Sequence, residues 1–250
     1  MEIDWSSLNI QECGGEYRQD IQNTLRFLTK YNRFPGAQPI SFELNHLNIL
    51  QKEKYFTCEK TDGVRLLLYT RYNNLLKRYE SLFIDRKLQP YYISELKLYT
   101  LDMKESIDTI IDGELVIDKI PFKEYYKKQN RKIPRLEVEP EFKLIYRFLM
   151  FDCVYLNGEF LNTRPFDVRL GKLQGILKSF HKMRTTLGIQ IYFTLELKLM
   201  LPSYRLGEPL EHQSQEDGDE ISKGKLKHES DGLIFTKWDN KLVFGTDSHM

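Results

Sequence analysis

The chain is poor in cysteine. Three among 250 residues (Cys13, Cys58 and Cys153) is an odd number without metal-type spacing, which argues against a disulfide framework or a structural zinc. Cys58 and Cys153 lie in apolar, strand-like runs and read as small buried hydrophobes of a reducing compartment. Long hydrophobic runs are also missing, since no stretch approaches the roughly 18 apolar residues that a membrane span needs. The opening residues Met1-Glu2-Ile3-Asp4-Trp5 have neither the basic region nor the apolar stretch of a secretory leader, so a soluble, intracellular protein is expected. Charge of one sign is not in excess either. With 37 basic and 36 acidic side chains the formal net charge is +1, which argues against gripping nucleic acid by bulk electrostatics and leaves room for a local basic groove. The five histidines are scattered without an evident base or ligand partner and receive no role.

What remains suffices for a core. At 41% hydrophobic and 29% charged residues, the chain can fold as one large domain or two small ones. Ile21, Leu25 and Leu28 recur at helical spacing, predicting an amphipathic helix that ends near Arg33-Phe34-Pro35-Gly36. Strand-like runs then dominate, at 55–58, 64–70, 81–84, 110–117 and 145–154. Short polar turns such as Tyr72-Asn73-Asn74 favour antiparallel hairpins. A second helix is predicted from Asp167 to Met183, with Leu170, Leu173, Leu177 and Phe180 on one face, followed by strands at 189–197 and 232–236. Residues 119–143, rich in Lys, Glu and Pro, read as an insertion, and 203–228 as a mobile loop; either is solvated surface, a lid or a docking segment.

Chemistry concentrates in Glu59-Lys60-Thr61-Asp62-Gly63-Val64-Arg65. Lys60 closes the apolar stretch Tyr55-Phe56-Thr57-Cys58, and Asp62-Gly63 supplies a tight turn able to aim an amine into a cleft. A lysine at the mouth of an apolar pocket beside other cations can shed its proton and act as a nucleophile. Downstream, acids recur at apolar strands: Ile111-Asp112-Gly113-Glu114-Leu115, Phe148-Leu149-Met150-Phe151-Asp152 and Glu229-Ser230-Asp231-Gly232-Leu233-Ile234-Phe235. Leu82-Phe83-Ile84-Asp85-Arg86 adds an arginine at a strand end. Carboxylates in such places are costly to bury unless paired or metal-bound. Their convergence with a lysine and two arginines is the chemistry of metal-assisted attack on a phosphate.

Lys60-Thr61-Asp62-Gly63, Asp112-Gly113-Glu114-Leu115, Phe151-Asp152 and Asp231-Gly232-Leu233-Ile234-Phe235, in this order, resemble the covalent nucleotidyltransferases, the mRNA capping guanylyltransferases and polynucleotide ligases. The stretches 34–42, 58–63 and Phe244-Gly245-Thr246-Asp247 are similar to the fungal-type guanylyltransferases, whereas ligases usually carry Glu-Gly where this chain has Asp231-Gly232. The resemblance implies an α+β nucleotidyltransferase (ATP-grasp-like) domain of mostly antiparallel sheets with flanking helices and a central nucleotide cleft. It spans 34–250, with 1–33 a helical segment packing on that core.

The resemblance also implies roles. Lys60 would attack GTP and hold GMP as a phosphoamide, which the 5′-diphosphate end of an RNA then takes up as its cap. Glu59, Thr61, Arg65, Arg86, Glu114, Phe151 and Lys198 would bind the nucleotide. Among these, Arg65, Arg86 and Glu114 lie around ribose and phosphates, Phe151 stacks on guanine, and Thr61 and Lys198 face the guanine edge. Glu114 and Asp231 would hold Mg²⁺ or Mn²⁺. Each position has a plainer reading: Lys60 paired with Asp62, Arg86 paired with Asp85, Phe151 as core, Asp152 as a capping or orienting acid, and Lys198 on an exposed strand face. Family members work in the nucleus with an RNA 5′-triphosphatase and the phosphorylated tail of RNA polymerase II. They continue into a Lys-x-Lys motif and a C-terminal OB-fold domain, both absent from this chain, which stops at His249-Met250. The expectation is weak nucleotide binding and poor self-labelling by the chain as given. An ATP-dependent polynucleotide ligase and a silent guanylyltransferase-like scaffold are the competing functions.

Overall fold

The computed structural model describes residues 3–134, 140–205 and 230–247. Along the chain run β1 (Ile10–Glu12), α1 (Gly15–Thr29), β2 (Ala37–Pro39), α2 (Leu44–Lys52), β3 (Tyr55–Thr61), β4 (Val64–Asn73), β5 (Arg78–Ile84) and β6 (Pro90–Ile93). These are followed by β7 (Thr109–Pro121), α3 (Phe122–Lys128), β8 (Phe142–Leu156), β9 (Glu159–Phe160), α4 (Phe166–Leu187), β10 (Phe193–Leu197), β11 (Leu201–Pro202), β12 (Ser230–Lys237) and β13 (Gly245–Asp247).

Eight strands form the main sheet in the order β1-β6-β5-β4-β7-β8-β10, with β9 paired to β8. Every pairing in it is antiparallel except that of β10, which lies parallel to β8. The sheet is buried on both faces, and strand alternation assigns the side chains. Leu66 and Leu68 of β4 join Phe83, Phe148, Met150 and the α4 residues Phe166, Leu173 and Phe180 in one cluster. The intervening Leu67 and Tyr69 join Leu82, Ile84, Ile110 and the α1 residues Ile21 and Leu25 in the other. Such double coverage explains why β4 and β5 read as continuous apolar runs.

A second sheet, β11-β3-β12, connects to the main sheet where β3 hands over to β4, and β2 pairs in parallel with β13. The architecture is therefore α+β with mostly antiparallel sheets and flanking helices.

Two details depart from the sequence reading. Helix α2 was not foreseen; its apolar Leu44, Leu47 and Ile49 are exposed and give no stripe turned toward the core. Residues 119–143 are not wholly an insertion, because Lys119 pairs with Leu144 and Pro121 with Phe142, extending the β7–β8 hairpin. The buried Phe122 seats α3 at its tip. Most of 203–228 lies outside the described residues. No described helix is long and apolar enough to cross a membrane.

Candidate active site

Between the main sheet and the β3 sheet lies a cavity of about 580 Å³, lined by Lys60, Thr61, Arg65, Arg86, Glu114, Phe151, Asp152 and Lys198. Strand pairing brings these together from distant parts of the chain, antiparallel for β3, β4, β7 and β8 and parallel for β10. Lys60 and Thr61 end β3, and after the Asp62-Gly63 turn Arg65 is the second residue of β4, directly opposite Glu114 of β7. Gly63 allows that turn to hug β7, since a Cβ there would come within 2.6 Å of Glu114 Cγ and 2.8 Å of the Leu115 carbonyl. Phe151 and Asp152 come from β8, which runs beside β7.

Lys198 follows β10, and the structure takes it off the exposed face that one reading gave it. It is buried, with its ammonium donating to Thr61 Oγ1 at 2.8 Å and to Glu114 Oε2 at 3.1 Å. Thr61 Oγ1 also donates to Glu114 Oε2, and the Gly63 N–H donates to Glu114 Oε1 at 3.2 Å. Glu114 thus knits the lysine loop to β10 across the cavity floor.

Arg65 forms the opposite wall. It donates to Asp112 Oδ1 and Oδ2 at 3.0 and 2.6 Å, while its guanidinium lies 5.4 Å from the ring centre of Phe34 and 5.3 Å from that of Phe151. Burial opposes its charge, but Asp112 outweighs burial and holds the guanidinium above its ordinary value. Phe151 is half-buried, with its ring beside both Arg65 and the Lys198 ammonium at 5.6 Å. It is a face of the cavity rather than plain core. Arg86 is exposed, and the Asp85 carboxylate, its expected surface partner, instead accepts from the backbone N–H groups of Lys87 and Gln89, each at 2.8 Å.

Lys60 is solvent-exposed and also borders a side pocket of about 320 Å³ against Phe42 and Ile49. Opposite it, β12 slips register: Ser230 faces Thr61 and Leu233 faces Glu59, leaving Asp231 and Gly232 together against Lys60. Two residues against one is a bulge, a common way to re-aim a side chain beside a site. The Asp231 side chain lies outside the described ones. Glu59 is half-buried on β3.

Asp152, read from sequence as an orienting acid, accepts from Arg169 Nε and Nη2 at 2.7 and 2.9 Å. Arg169 was missed, although its place on the apolar stripe Phe166–Leu170–Leu173 of α4 is a signal that sequence does carry. It reaches on to the Asn240 carbonyl at 2.9 Å, and the Asn240 amide donates to Asp247 Oδ2 at 2.6 Å.

Among the described residues no three His, Cys, Asp or Glu side chains cluster to cage a metal. The donors present suit an ion such as Mg²⁺, which takes one or two carboxylates and draws its other ligands from substrate phosphates and water.

Comparison with known proteins decides the family. The sequence profile of the mRNA capping enzyme catalytic domain matches residues 6–250. The chain belongs to that family. Among capping enzymes, it is similar to the mRNA-capping enzyme subunit alpha of Neurospora crassa, at 36% identity over 87% of this chain and 50% of that protein. The subunit alpha of Schizosaccharomyces pombe is 31% identical over 89% of this chain and 50% of its own length. The chain thus spans about half the length of these curated relatives. The mRNA-capping enzyme of Caenorhabditis elegans is 26% identical over 94% of this chain and 34% of that protein. Among solved structures, the ATP-dependent DNA ligase of bacteriophage T7 in complex with ATP aligns at a TM-score of 0.48 and 13% identity, over 86% of this chain and 67% of the ligase.

Proposed function

We propose that this capping-enzyme domain carries out the guanylyl transfer of mRNA 5′-cap formation. The observation that carries the reading is the shared cavity, in which Lys60 meets Arg65, Arg86, Glu114, Phe151 and Lys198. The Lys60 amine attacks the α-phosphorus of GTP; a P–N bond forms, the bond to the bridging oxygen breaks, and pyrophosphate leaves. A terminal oxygen of a 5′-diphosphate RNA then attacks the same phosphorus, breaking the P–N bond and freeing the lysine. Arg65 and Arg86 offset the phosphate charge. Phe151 presents an aromatic face to the base, and Thr61 and Lys198 act at the base edge. Asp231 and Glu114 are the carboxylates that would hold Mg²⁺ or Mn²⁺, which neutralises charge on the phosphates when bound. The reading implies a nuclear setting, an RNA 5′-triphosphatase upstream, and docking to the phosphorylated tail of RNA polymerase II.

The test incubates the chain with α-labelled GTP or, in parallel, α-labelled ATP, plus Mg²⁺ or Mn²⁺. Label that stays on the denatured protein and survives alkali but is released by acid, as a P–N bond requires, is expected from GTP alone and is abolished in Lys60→Ala. Label from ATP instead assigns a ligase-type reaction. No label from either, even in a longer chain with a downstream Lys-x-Lys motif and OB-fold domain, leaves a non-catalytic scaffold and overturns the proposal.

A further inference from the structure

A second cavity, of about 600 Å³, lies against the same cleft and contains three cations, Arg33, Arg86 and Lys87. The ribbon formed by β2 and β13 separates the two spaces. Alternation sends Ala37, Pro39 and Asp247 of this ribbon to the Lys60 cleft, while Thr246 faces the second cavity. Arg86 and Lys87 line both, so the cavities meet at those two side chains.

The second cavity is electrostatically one-sided. Among the described residues no acidic side chain lines it, whereas Asp112, Glu114 and Asp152 line the first. None of its three cations has a carboxylate within salt-bridge distance among the described residues. Unpaired like charges in a concave wall repel one another, and an anion relieves that repulsion. The lining also includes the Tyr31 and Phe244 rings, with centres 5.2 Å apart, a surface a nucleobase can use and a bare pyrophosphate cannot.

We infer that this cavity receives the 5′-terminal nucleotide of the acceptor RNA and leads its diphosphate past Arg86 and Lys87 toward Lys60. The inference rests on the guanylyl-transfer reading, and it locates the second substrate that reading requires. The small net charge of the chain fits an acceptor held at its end rather than along its length.

Arg33 borders only the second cavity, which makes it the residue to change. Fluorescence anisotropy would compare a 3′-labelled single-stranded RNA ending in a 5′-diphosphate with the same RNA ending in a 5′-hydroxyl. The unaltered chain should bind the diphosphate form at least about fivefold more tightly, and Arg33→Glu should erase that preference, since each lost phosphate contact weakens binding and flattens its salt dependence. Arg33→Lys should keep most of it. No preference in the unaltered chain, or an undiminished one in Arg33→Glu, overturns the inference. So does equal weakening of both RNAs, which is charge repulsion without end recognition. Label from GTP is read on the same proteins and should be unchanged in Arg33→Glu. End preference without any GTP label, even in the longer chain, would unseat the guanylyl-transfer reading and leave the RNA-end site standing.

Discussion

Asp112 and Asp152 face each other across the β7–β8 ladder, and each is held by its own arginine. Like charges directly opposite in an antiparallel pair are destabilising, so this arrangement depends on Arg65 on one side and Arg169 on the other. Arg169 also ties β8 to Asn240 and, through it, to Asp247 on the far wall of the cleft.

Removing Arg169 leaves a buried carboxylate unpaired beside a second one. Arg169→Ala should cost about 3–5 kcal/mol of stability, read as a shift of the urea midpoint. Arg169→Lys should recover only part of it, since one ammonium cannot reproduce a bidentate guanidinium contact. A loss below about 1 kcal/mol would show that the pair is dispensable.

Gly36 touches the same cluster. A Cβ at this position would approach Asp112 Oδ2 to 2.5 Å, Arg65 Nη2 to 2.6 Å and the Phe34 ring to 2.8 Å. Gly36→Ala should destabilise the fold by about 1–3 kcal/mol and weaken GTP labelling together, because the Arg65–Asp112 pair must shift. Thermal unfolding and labelling of one preparation check both.

Lys198 bears on base choice. Lys198→Met keeps the length and apolar stem of the side chain but donates no hydrogen bond to a base. The preference for GTP over ATP in labelling should fall by about tenfold or more, because a site built to bond a polar edge discriminates through that bond. Unchanged selectivity with a lower rate would place Lys198 in positioning Glu114 and Thr61 alone.

Glu80 sets an acid limit to stability. Burial raises its carboxyl, but hydrogen bonds from Asn73, Tyr17 and Arg78 and the charge of Arg71 outweigh this and hold it below the usual 4.5. A carboxyl depressed in the folded state contributes stability that is complete above the unfolded value and is lost as pH falls through the folded one. Stability of the unaltered chain should therefore drop below about pH 4.5 more steeply than that of Glu80→Gln, measured by urea unfolding across pH.

Local features of the site were legible because they are contiguous. Lys60-Thr61-Asp62-Gly63 and Asp112-Gly113-Glu114 show a turn and an acid inside apolar strands without any partner in view. The partnerships were not legible. Nothing in the sequence signalled that Arg65, a cavity-lining residue, also grips Asp112, 47 positions away. Lys198 offered only an ordinary strand-end context, and its burial depends on β10 lying parallel to β8, a crossover that period-2 patterning cannot encode. Helix α2 carries its apolar residues outward and so lacked the periodic signal by which α1 and α4 were found.

By itself the sequence determined a strand-rich α+β domain, its two principal helices and a lysine at a strand end beside a Gly turn, because alternation, helical spacing and Gly turns are local properties of the chain. Tertiary structure alone decided that Arg169 backs Asp152, that Glu114 bridges Thr61 to Lys198, and that Arg33, Arg86 and Lys87 share a cavity. Those pairings depend on sheet order and register, which bring together side chains from distant strands only when the whole sheet is assembled.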